Sequence, residues 1–163
     1  MKEAVWIDRA RSYVGTTEVK GAGTSPVIRT WLVGLKAWWL EDETPWCGTF
    51  VAACMRETGI KVPKHWYRAL GWLDWGIPLH EPVHGCVVIY NRKGGGHVNF
   101  AVGEDEKGRI MGLGGNQGDK VSIAPFDKTR VAGYRWPSEY ASQIMQPLSL
   151  LASNGQSASS NEA

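Results

Sequence analysis

Apolar residues change their period once along this chain, and that change limits the folds open to it. Up to Gly59 they recur every third or fourth position, and from Cys86 they recur every second position. Val5, Ile7, Ala10 and Tyr13 mark a first amphipathic helix that stops at Gly15. Ser25-Pro26 opens a second, with Val27, Ile28, Trp31, Leu32 and Leu35 on one face. The third is expected to start with Thr44 as N-cap and Pro45 as first helical residue, and to end at a left-handed Gly59. Phe50, Val51, Cys54 and Met55 give this helix one buried face. Pro63, Pro78 and Pro82 then break the chain, leaving room for a turn or two of helix in RALGWLDWG. Strands follow at 86–91, 97–105, 109–117, 120–126 and 131–137, joined by short turns such as RKGGG and DEKG. Helices first and an antiparallel meander after them predict an α+β fold, with N-terminal helices packed on a C-terminal antiparallel sheet. One domain is expected over residues 1–140, with a flexible Ser/Asn-rich tail over 141–163.

Composition removes several classes of function. A formal charge of +2, with Lys and Arg scattered among acids, gives no reason to expect a nucleic-acid partner. No apolar run nears the roughly 18 residues of a membrane span. The N-terminal MKEAVWIDRARSYVG lacks the continuous apolar core of a signal peptide. Cytoplasmic synthesis, no stable membrane insertion and a monomer are the expectations. Three cysteines fit a reducing compartment better than a disulfide framework. Nine tryptophans are many for this length, and Trp6, Trp31, Trp38 and Trp39, which fall in helical stretches, read as core.

The chemistry centres on Cys47. In the first turn of the third helix, unpaired backbone N–H groups and the positive end of the helix dipole favour a thiolate. The plainer alternative is a small buried hydrophobe, which is how Cys54 reads. A thiol nucleophile needs a base that can also protonate a leaving amine, and histidine does this near neutral pH. Of four histidines, His97 is the best placed. It opens a strand whose Val98, Phe100 and Val102 form one buried face, so that His97, Asn99 and Ala101 point to the other. Asn116, at the end of the next strand in LGGNQGD, could hold the imidazole in one tautomer, although Asn and Gly also suit a turn there.

Asp42-Glu43-Thr44-Pro45-Trp46-Cys47, Gly96-His97-Val98, Gly114-Gly115-Asn116-Gln117 and Tyr134-Arg135-Trp136-Pro137 together resemble the NlpC/P60 and CHAP cysteine hydrolases, in a branch of small phage and bacterial proteins. The resemblance spans about residues 3–137. It implies a papain-like fold and hydrolysis of an amide bond in the peptide part of bacterial peptidoglycan, with Cys47 as nucleophile, His97 as base then acid and Asn116 as orienting group. Trp46, Glu18, Gln117 and Trp75 are the candidate substrate-binding residues, and no metal or cofactor is expected. A phage endolysin acting on the wall of a Gram-negative host is the expected setting, with an injected antibacterial effector as the alternative. The chain departs from the CHAP pattern in carrying Gly114 where a glutamate is common, and it lacks the second histidine of many NlpC/P60 sites. Two other readings stand beside it: a metal amidase using His80, His84 and Cys86, and an inert wall-binding module whose tryptophans hold glycan or peptide.

Overall fold

A computed structural model describes residues 3–19, 25–40, 45–143 and 146–159. Three α-helices precede the sheet: α1 (Val5–Ser12), α2 (Pro26–Gly34) and α3 (Cys47–Glu57). Ser25 is the N-cap of α2, with Pro26 at its first turn. Thr44, expected to cap α3, lies outside the described residues. Pro45 precedes α3 rather than opening it, and Trp46 is the capping residue. The other end of α3 follows the expectation. Gly59 takes φ +81°, and the N–H groups of Gly59 and Ile60 donate to the carbonyls of Arg56 and Met55 at 3.1 and 2.9 Å, the paired bonds of a Schellman motif.

One buried face was expected for α3, but every residue from Cys47 to Met55 is buried. The helix is apolar all round because it is enclosed all round. α1 and α2 cover it on one side and the sheet on the other, where the Phe50 and Phe100 rings meet edge to face at 6.1 Å. Gly48 has no side chain because the backbone of Trp66 passes directly over the first turn: a Cβ there would lie 2.4 Å from the Trp66 carbonyl oxygen.

The sheet has six antiparallel strands: β1 (Ile77–Leu79), β2 (Val87–Arg92), β3 (Gly95–Glu104), β4 (Ile110–Gly114), β5 (Ser122–Phe126) and β6 (Val131–Trp136), in spatial order β1-β6-β2-β3-β4-β5. The architecture is α+β, as the change of period predicts. The meander holds only from β2 to β5. β6 crosses back to pair with the far edge of β2, Val87 opposite Arg135, and there it receives the short β1, which the sequence did not announce. The crossing sets Trp136 against Trp6 of α1 at 5.1 Å. The sheet also curls. Phe126 of β5 reaches Tyr90 of β2, across the two strands between them, at 4.9 Å between ring centroids. Inside that curl the odd residues of β3 are buried as completely as the even ones, which face α3.

A flexible tail was expected from residue 141, yet residues 146–159 lie against the sheet. Glu104 of β3 makes two backbone bonds to this segment, accepting from Leu151 N–H at 2.8 Å and donating to the Ser149 carbonyl at 2.9 Å. Arg109, already on Asp105 at 2.7 Å, donates to the Gln156 carbonyl at 2.7 Å and faces the fully buried Ser153. Gly103 makes room for Leu151, whose Cβ would be 2.5 Å from a side chain placed there. The polar end of the tail hid a segment held by backbone bonds and by Leu148 and Leu151, which pack against the core. Removing residues 141–163 is therefore expected to cost on the order of 3 kcal/mol, or about 10 °C of Tm. A truncated chain melting with the parent in a calorimetric scan would show the segment to be energetically idle.

Candidate active site

Cys47 begins α3 and sits at the floor of an open cleft of about 520 Å³, walled by His65, Tyr67, Arg92 and the glycines at 94–96. Its side chain is 3% exposed. Burial pushes the thiol pKa up. Backbone N–H groups of Val98, Gly48 and Cys47 itself and the Arg92 charge pull the other way without reversing the shift. The first-turn position does favour the thiolate as expected, but desolvation outweighs it. The two other thiols have less opposition. Burial raises Cys54 well above its ordinary value and Cys86 to about 12. Both are fully enclosed and have no route to solvent. Arg92 is the charge that helps Cys47, so Arg92→Gln is expected to move the pH–rate curve for Cys47 alkylation to higher pH. Superimposable curves would remove Arg92 from the account.

His97 is far from this thiol in the chain, on the strand β3 that packs against α3. Val98, the residue after it, is one of the backbone groups that oppose the upward shift of the thiol. The His97 ring itself turns into the curl of the sheet, stacked on Phe126 at 5.3 Å and 13° and tilted against Tyr90 at 6.0 Å. The ring does not line the cleft, although Gly96 next to it does. His97 Nε2 is 3.0 Å from Gln117 Oε1.

That contact sets the tautomer. Gln117 Nε2 donates to the carbonyls of Gly112 and Ser122 at 3.1 and 2.9 Å, which leaves its Oε1 as an acceptor only. The same oxygen accepts from Asn99 Nδ2 at 3.0 Å, and Asn99 is fixed in turn by the Tyr90 hydroxyl donating to its Oδ1 at 3.0 Å. His97 must therefore carry a proton on Nε2, and Nδ1 is the nitrogen left to take one up. Tyr90, Asn99, His97 and Gln117 are each buried to within 3% exposure, so the network is shielded from competing water.

The amide in contact with the His97 ring is Gln117, the neighbour of the expected Asn116. Asn116 occupies the left-handed region at φ +59°, and no described hydrogen bond of its side chain reaches His97. It turns the chain so that the next residue points inward. The two glycines before it serve the same arrangement. A Cβ on Gly114 would lie 2.2 Å from Gln117 Oε1, and one on Gly115 would lie 2.8 Å from the Trp46 ring.

The four candidate substrate-binding residues do not meet in the cleft. Gln117 is the buried hub just described. Trp46 is 1% exposed, packed beside Trp31, and its indole N–H donates to Glu18 Oε1 at 3.0 Å. Glu18 thereby acquires a definite contact: it anchors the residue before the thiol. Trp75 packs on Trp72 at 4.9 Å and donates to the Lys61 carbonyl at 2.7 Å. His65 and Tyr67 are the cleft residues that sequence spacing missed, because the segment carrying them has no period.

His80, His84 and Cys86 are not gathered into one site. Cys86 is in the core and His84 Nε2 is 2.5 Å from Glu3 Oε2. That pair borders the larger groove, about 730 Å³, between α1 and the C-terminal segment, whose lining holds no cysteine. No helix among the described residues is long and apolar enough to cross a membrane. Compared with models of known families and with curated proteins, the sequence matches none.

Proposed function

We propose that this chain is a thiol-dependent peptidoglycan hydrolase with a papain-like site, cleaving an amide bond in the peptide part of bacterial cell wall. What supports the reading is a thiol at a helix N-terminus on the floor of an open cleft, influenced by the backbone N–H of Val98, the residue that follows a histidine whose tautomer a buried amide sets. In this mechanism His97 Nδ1 takes the Cys47 proton, and the thiolate attacks the peptide carbonyl. The backbone N–H groups at the start of α3 meet the developing oxyanion. His97 then protonates the leaving amine, and water, deprotonated by the same nitrogen, cleaves the thioester. The setting that best suits this chemistry is a phage endolysin.

The test is turbidity loss of purified Gram-negative murein, with iodoacetamide and EDTA in parallel. Lysis is expected to stop with iodoacetamide and to continue with EDTA. Lysis stopped by EDTA alone, or no lysis while the protein pellets with the wall, would overturn the proposal.

A further inference from the structure

Trp38 was expected in the core, yet it is 90% exposed, more than any other large hydrophobic side chain among the described residues. It does not stand alone. Trp38 meets Trp39 edge to face at 5.3 Å, and Trp39 lies stacked on Trp66 at 5.7 Å and 23°. Tyr67 stands edge-on to Trp39 at 5.5 Å and to Trp66 at 5.6 Å, and its hydroxyl is 3.1 Å from His65 Nδ1. Tyr67 and His65 also wall the Cys47 cleft. One aromatic corner therefore runs without a break from the thiol cleft out to a fully presented indole.

We infer that this corner is a sugar subsite that binds a pyranose of a β-linked N-acetylhexosamine strand beside the Cys47 cleft. The choice of sugar rests on the hydrolase reading, in which the cleaved peptide hangs from such a strand. The surface chemistry suits it. A pyranose with equatorial substituents offers a flat C–H face and a polar rim. The uncharged faces of Trp38 and Trp39 take the first, while the Tyr67 hydroxyl and the His65 ring take hydroxyl and acetamido groups on the second. Two rings at 73° to one another hold a sugar ring from two sides, which one flat platform does not. The exposed Trp38 continues a contiguous aromatic patch that reaches the cleft through Tyr67, and contiguous exposed apolar patches mark ligand-binding surfaces.

The test is titration of the full chain with soluble N-acetylglucosamine oligomers of four to six units, read by tryptophan fluorescence and calorimetry. Cys47→Ala, which cannot turn over, should bind like the parent, and Trp38→Ala should bind at least about tenfold more weakly. Trp38→Ala should also raise KM for murein while leaving kcat on a free wall peptide unchanged. No binding by the parent, or equal binding by Trp38→Ala, would overturn the inference. So would a Trp38→Ala protein that loses affinity for free wall peptide instead of for sugar. Sugar binding without thiol-dependent lysis would sink the hydrolase reading and leave the subsite standing, whereas lysis without sugar binding would do the reverse.

Discussion

Cys47→Ala is expected to abolish release of murein fragments, by on the order of 10³-fold or more, while the protein still melts as one cooperative unit. The activity loss follows from removing the atom that forms the covalent bond; other parts of a site acting as a unit do not substitute for it. The modest structural effect follows from size and surroundings. Cys47 is 3% exposed with its sulfur facing a cleft rather than close-packed core, so losing the sulfur costs on the order of 1 kcal/mol. Cys54→Ala supplies the contrast. That thiol is fully enclosed and its pKa is driven well up by burial, so the substitution should lower Tm and leave turnover per folded molecule unchanged. A Cys47→Ala protein that still solubilised murein would end the thiol account.

Gln117 and Asn116 should separate sharply. Gln117→Ala removes the acceptor of His97 Nε2 and also leaves Asn99 Nδ2 and the Gly112 and Ser122 carbonyls without their partner. Turnover is expected to fall about 10²-fold or more, the usual range for losing a positioned acid–base group. Stability should drop on the order of 3 kcal/mol from buried groups left unsatisfied. Gln117→Glu keeps an acceptor for His97 but puts a carboxylate beside the ring, which holds the imidazolium. Its pH–activity profile should move to higher pH, a displacement that a purely structural role would not produce. Asn116→Gly should retain activity within about twofold, because glycine accepts φ +59° at no steric cost. An inactive Asn116→Gly with an active Gln117→Ala would return the orienting role to Asn116.

The adjacency of those two amides shows where reading the sequence stops. GGNQ announces a turn and a polar group at a strand end, and both are present. Which amide points inward depends on the left-handed backbone at Asn116, which reverses the facing of the residue after it. Asn in a turn beside glycine is the one cue to it, since Asn adopts that conformation more readily than Gln. His97 shows a second limit. Alternation along β3 separates two faces correctly, but it does not say what covers the second, which the curl that brings Phe126 to Tyr90 makes an interior.

The helices, their stops and five of the six strands are properties of the sequence itself, because period, capping residues and glycine positions act over a few residues and need no partner. The same local physics singled out Cys47 and His97. Tertiary structure decided the rest: the return of β6 to β2, the enclosure of α3, the net upward push on the Cys47 thiol, and Gln117 as the residue that holds the histidine. Each is an effect of burial or of contact between distant segments, and a short stretch of sequence carries no record of what will cover it.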